Sequence, residues 1–174
     1  STLPSPPSGT RYPLGSWEHA TLSVLNDARY QSALNLLTYA LELGKNLQEN
    51  LAAYLPLQLT SLADSSRLLR DLVRGHSESP HGLPLSYPPP DLLKNAALAA
   101  MKNHQLNLAL SGSAGVEEMG GSGVGEAAEV AEELIKAYLA MSEGNGDPQR
   151  DIFAQYFETQ DFKQQQRGHS PIKP

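Results

Sequence analysis

Cysteine is absent from the chain, and with it go disulfide frameworks, Cys-ligated zinc, iron–sulfur ligation and thiol catalysis. Charge is scarce too: 18% of residues are Asp, Glu, Lys or Arg, and no Lys/Arg cluster exceeds a pair. With a formal net charge of -6 the chain lacks the basic footprint that phosphate backbones require, so nucleic acid is not an expected partner. No apolar run approaches the roughly 18 to 20 residues needed to span a bilayer, and residues 1–10 are polar and Pro-rich rather than signal-like. A reducing compartment, cytoplasmic or nuclear, fits these absences. A first residue other than Met fits a piece of a larger eukaryotic protein.

Val and Ile are few, while Leu and Ala supply most of a 40% hydrophobic fraction. Straight-chain residues and Ala favour helix, whereas β-branched ones favour strand. No segment alternates apolar and polar residues over a strand length. The fold class read from this is all-α, an antiparallel bundle of five or six helices. The 174 residues suit one domain over 16–165, flanked by disordered tails at 1–15 and 166–174.

Within that domain, Ser16 is an N-cap candidate ahead of Trp17, and a short first helix is expected to about Asn26. From Asp27 to Leu43, Tyr30, Ala33, Leu34, Leu37 and Leu41 form one apolar stripe, and Leu36, Ala40 and Leu43 a second. Gly44 is placed to end that helix in the left-handed region. Pro56 is expected to kink the next helix or begin a new one, with Leu59, Leu62, Leu69 and Val73 beyond it. A Pro-rich loop at 75–90 then divides residues 16–74 from a second helical half at 91–165. There, Leu93, Ala97, Ala100 or Met101, His104 and Leu108 share a stripe. A Gly/Ser-rich stretch follows to Gly125, and acidic residues open the next helix. Asp147-Pro148 reads as a cap and first turn for the helix carrying Ile152, Phe153, Tyr156 and Phe157.

Chemistry-bearing patterns are thin. Ser122 has no strand before it to make a nucleophile elbow, and Gly120 to Gly125 lacks the Lys-Ser/Thr ending of a phosphate loop. His19, His76, His81, His104 and His169 form no chelating pair on a helix. His104 is read as a structural, hydrogen-bonded imidazole, and the Glu117-Glu118 and Glu132-Glu133 pairs as solvated helix faces. No catalytic residue, metal site or cofactor is expected, and the chain is not read as an enzyme. Trp17 is read either as an anchor of the first helix in the core, the favoured reading, or as an exposed hot spot for a partner. Phe153, Tyr156, Phe157 and Phe162 cover more than one face of the last helix, so they serve either as core or as binding surface. Ser5, Ser79 and Ser170 each precede proline in segments read as loop or tail, which suits proline-directed phosphorylation.

The run Tyr30-x-x-Ala33-Leu34-x-Leu36-Leu37-x-x-Ala40-Leu41-Glu42-Leu43 resembles the helix signature of tetratricopeptide repeats and of MIT (microtubule interacting and trafficking) domains. The resemblance covers residues 17–74. No second copy appears at a 34-residue period, so a repeat array is not expected. The resemblance implies a module that takes a short amphipathic helix or linear motif in a groove between helices, lined by Leu36, Ala40, Leu43, Leu62 and Leu69. The functional expectation is a protein-interaction domain of adaptor or scaffold type. The alternatives are a structural subunit that homo-oligomerises through its apolar stripes and a non-catalytic carrier of a small ligand.

Overall fold

The Ser16 backbone is extended, and its hydroxyl accepts the His19 N–H at 3.2 Å, satisfying one of the donors that a helix start leaves open. From there helix α1 runs unbroken over Trp17–Lys45 in the computed structural model, which describes residues 12–78, 89–113, 121–143 and 146–168. The break expected near Asn26 does not occur. Asn26 and Tyr30 are both buried on the inner face, and packing there outweighs the modest helix propensity of Asn-Asp.

Gly44 also departs from expectation. It lies within α1, and the positive-φ glycines among the described residues are Gly15 and Gly146. Its role is close approach. A Cβ built at position 44 would lie 2.5 Å from Nε2 of Gln58 on the facing helix.

That facing helix, α2, spans Leu51–Glu78 and passes through Pro56. Asn50 caps it, its Oδ1 accepting the Ala53 N–H at 3.2 Å. Pro56 is exposed and sits early in the helix, where its ring meets only the first turn. The segment beyond it is held by burial of Gln58, Ser61, Leu62 and Ser65. Two hydrogen bonds lock α2 antiparallel onto α1: Ser65 Oγ donates to the Ala33 carbonyl at 2.8 Å, and Gln58 Nε2 to the Ala40 carbonyl at 3.1 Å. The small residues at these crossings let the backbones approach closely.

Helix α3, Pro89–Ser113, is central: it packs on α2 along one side and on α4, Gly121–Met141, along the other. Its buried Ala96, Ala97, Ala99 and Ala100 point around the helix toward both neighbours and keep each interface tight. Helix α4 begins in the Gly-rich stretch rather than at Glu126. Helix α5, Gln149–Gly168, follows a turn in which Asp147 Oδ1 accepts the Gln149 N–H at 2.9 Å and Oδ2 accepts the Tyr138 hydroxyl. The predicted cap thus also ties α5 to α4. One apolar core joins Tyr30 and Leu37 of α1, Leu62 and Leu69 of α2, the α3 alanines, Leu134 and Ile135 of α4, and Phe153 of α5. The architecture is an all-α bundle of five helices, with no strand among the described residues.

Candidate functional site

Burial sorts the residues that the sequence marked for partner binding. Ala40, Leu43, Leu62 and Leu69 are buried, and Leu36 is partly so. Ala40, Leu62 and Leu69 belong to the closed core that α1, α2 and α3 share. The groove expected between these side chains is therefore filled by the protein's own helices and is shut to a partner. Phe153 and Tyr156 also face inward, while Phe157 is half-buried. Trp17, expected in the core, is instead 74% exposed. Ser5, Ser79 and Ser170 lie outside the described residues.

The inward rings of α5 build a polar–aromatic seam. Phe153 meets Tyr138 of α4 edge-on, ring centroids 5.1 Å apart, and Tyr156 meets His104 of α3 edge-on at 5.9 Å. His104 Nδ1 and the Tyr156 hydroxyl also share a hydrogen bond, so this buried imidazole is satisfied as the sequence reading expected. Burial, and after it the negative charge of Glu132, pushes the Tyr156 hydroxyl up to about 12. Tyr138 is likewise pushed up to about 12 by burial and by its bond to the Asp147 carboxylate. That bond and the Gln149 N–H hold Asp147 below its ordinary value. Both phenols thus stay neutral through the physiological range and hold their hydrogen-bond partners as neutral groups.

The seam is bordered by α3 and α5. An open cleft of about 500 Å³ lies between them, lined by Met101, Leu108, Ala109 and Ile152 on its apolar parts and by Lys102, Gln105, Gln155 and Thr159 around them, with Tyr156 below. Ile152 is exposed. Among the described residues α5 contacts the bundle less extensively than α1 contacts α2 or α3 contacts α4. A smaller cleft of about 340 Å³ between α2 and α4 is crossed by the Arg74–Glu133 ion pair at 3.1 Å.

Sequence reasoning placed Leu108, Met101 and His104 on one stripe and marked the α5 aromatics, but did not bring the two sets together. The signal was the polar fringe around each stripe, Lys102 and Gln105 on one helix and Gln155 and Thr159 on the other. Glu132 pairs with Lys136 and Glu133 with Arg74, so these acids are occupied as helix-surface ion pairs. Among the described residues no three His, Asp or Glu side chains gather as a metal site, and no helix is long and apolar enough to cross a membrane. No family model, curated protein or solved structure matches the chain.

Proposed function

We propose that the chain is a protein-interaction module that seats a short amphipathic helix in the cleft between α3 and α5. The observation that carries this reading is the composition of that cleft. Its apolar wall, Met101, Leu108, Ala109 and exposed Ile152, is bordered by uncharged donors and acceptors and a single cation, Lys102. An apolar floor with a polar border is how helix-in-groove sites combine burial with orientation. The size also suits two or three anchoring side chains, spaced about three to four residues apart on the incoming helix. The Tyr156–His104 hydrogen bond joins α5 to α3 beneath the cleft.

The experiment is selection of helical peptides from a displayed random library against the immobilised chain. Selected sequences are expected to carry apolar residues at helical i, i+3/i+4, i+7 spacing and an acid able to meet Lys102. Their binding is expected to fall by about tenfold or more on Ile152→Glu, which places a charge in the apolar wall. Peptides that bind Ile152→Glu as well as the parent would refute the assignment of the cleft.

A further inference from the structure

Helix α5 is held by a small part of its surface. Among its described side chains Phe153 and Tyr156 are buried and Phe157 is half-buried, while Asp151, Ile152, Gln155, Glu158 and Thr159 are exposed. Helix α1, by comparison, buries Asn26, Tyr30, Ala33, Leu37, Ala40 and Leu43. The support beneath α5 is built without it: α3 and α4 pack extensively on each other, and α3 packs on α2 as well.

That support is a socket for aromatic side chains. Tyr138 of α4 meets the Phe153 ring edge-on, centroids 5.1 Å apart. His104 of α3 meets the Tyr156 ring edge-on at 5.9 Å and shares a hydrogen bond with its hydroxyl. Lys136 of α4 stands over the Phe157 ring, its Nζ 5.7 Å from the centroid. Each contact sets a chemical requirement. The edge of Tyr138 asks for a ring, the buried Nδ1 of His104 for a hydroxyl, and the Lys136 ammonium for the face of a second ring. Helix α5 is thus seated as a helical ligand sits in a groove, by a few anchoring side chains.

We infer that the α3–α4 groove is a binding site for a helix of another protein, one that carries Phe, Tyr and a further aromatic residue at i, i+3 and i+4, and that α5 is its built-in competitor. The chemistry of the partner is read from the occupant already in place. Because α5 is tethered, it competes at an effective concentration on the order of millimolar. The partner therefore gains the groove only in those chains from which α5 has left, and its apparent affinity is reduced by that fraction. Opening α5 gives up the burial of Phe153, Tyr156 and part of Phe157 but leaves the α1–α4 packing intact, so it costs less than unfolding the chain. The cleft between α3 and α5 exists only with α5 in place, so a helix in one site opposes a helix in the other. The groove assignment does not rest on the cleft.

A fluorescently labelled peptide of residues 147–159 serves as the competing helix, and its anisotropy reports binding to the intact chain. The peptide is expected to bind the Phe153→Ala chain about tenfold or more tightly than the parent, because the variant weakens the tethered competitor and leaves the socket whole. Tyr156→Phe in the chain, a milder change, should tighten binding by about threefold. Placed in the peptide, the same changes should act the other way and weaken binding to the Phe153→Ala chain, by about tenfold or more and about threefold respectively. Ile152→Glu in the chain should not alter binding of the peptide; a loss there would place the peptide in the α3–α5 cleft and overturn this inference alone.

Hydrogen exchange on the parent adds a result that needs no variant to fold. Amides of residues 152–157 should be protected about tenfold less, or lower still, than those of residues 96–101 in α3. The parent should sediment as a monomer at the concentrations where the peptide binds. Equal affinity for the parent and the Phe153→Ala chain, indifference to the changes in the peptide, or equal protection of α5 and α3 each overturns the inference. A parent dimer would make α5 of a second copy the occupant and overturn the assignment to another protein.

Discussion

Replacing Gly44 by Ala offers the sharpest check on how α1 and α2 are fitted together. On propensity alone the change stabilises an interior helical position by about 0.5 to 1 kcal/mol, since Ala removes backbone freedom from the unfolded chain. In this fold the new methyl would stand 2.5 Å from Gln58 Nε2, so the amide must retreat by close to 1 Å to reach ordinary contact. Gln58 is buried, and its Nε2 holds the Ala40 carbonyl at 3.1 Å while its Oε1 has no partner among the described residues. Retreat breaks the bond, which costs about 0.5 to 1.5 kcal/mol, and leaves a buried donor unsatisfied, which adds to that. Gly44→Ala is therefore expected to destabilise the parent by about 1 kcal/mol. In a Gln58→Ala background the obstruction is gone, and the same change should stabilise by about 0.5 to 1 kcal/mol. The assay is a double-mutant cycle by urea unfolding, with equal m-values as the control for two-state comparison. A coupling of about 1.5 kcal/mol with a change of sign is the expected result. Equal effects in both backgrounds, within about 0.3 kcal/mol, would refute the claim that Gly44 is there to admit Gln58.

Asp147→Ala removes both the cap of α5 and the acceptor for Tyr138, and should lower the urea unfolding midpoint. Because Asp147 is held below its ordinary value, its contribution is present above the usual carboxylate range and is lost as pH falls through the lowered value; the alanine variant should show a shallower acid limb. At the other extreme Tyr138 and Tyr156 are raised to about 12, so the folded state holds these protons more tightly. Stability from them is full below about pH 10 and drains as pH rises toward 12. Tyr156→Phe should flatten that alkaline loss while removing the hydroxyl from His104 at a cost of about 1 to 3 kcal/mol at neutral pH. Finally, Trp17→Ala, at an exposed site, should change stability by less than about 0.5 kcal/mol. Tyr30→Ala, in the core, should lower it by about 3 kcal/mol or more, both read from unfolding midpoints.

Patterns confined to a turn or two of chain were legible in the sequence. Ser16 and Asp147 were readable as caps because a cap needs only its own side chain and the next three N–H groups. The helix class was readable from Leu and Ala at a 3.6-residue period with few β-branched residues. The satisfied, structural state of His104 followed from its place on an apolar stripe.

What depends on residues far apart in the chain was decided by the tertiary structure. The sequence made Gly44 a helix terminator, but Gln58, fourteen residues on, makes it a point of close approach. It put Trp17 inside because an isolated tryptophan favours burial, yet no described element lies over that end of α1. It opened a groove between the stripes of α1 and α2, which α2 and α3 close by packing into it. Periodicity tells which side chains want to leave water. Only the packing of α3 and α5 decides which apolar stripes are used up in the core and which, like Ile152 above the Tyr156–His104 pair, remain at the surface for something else.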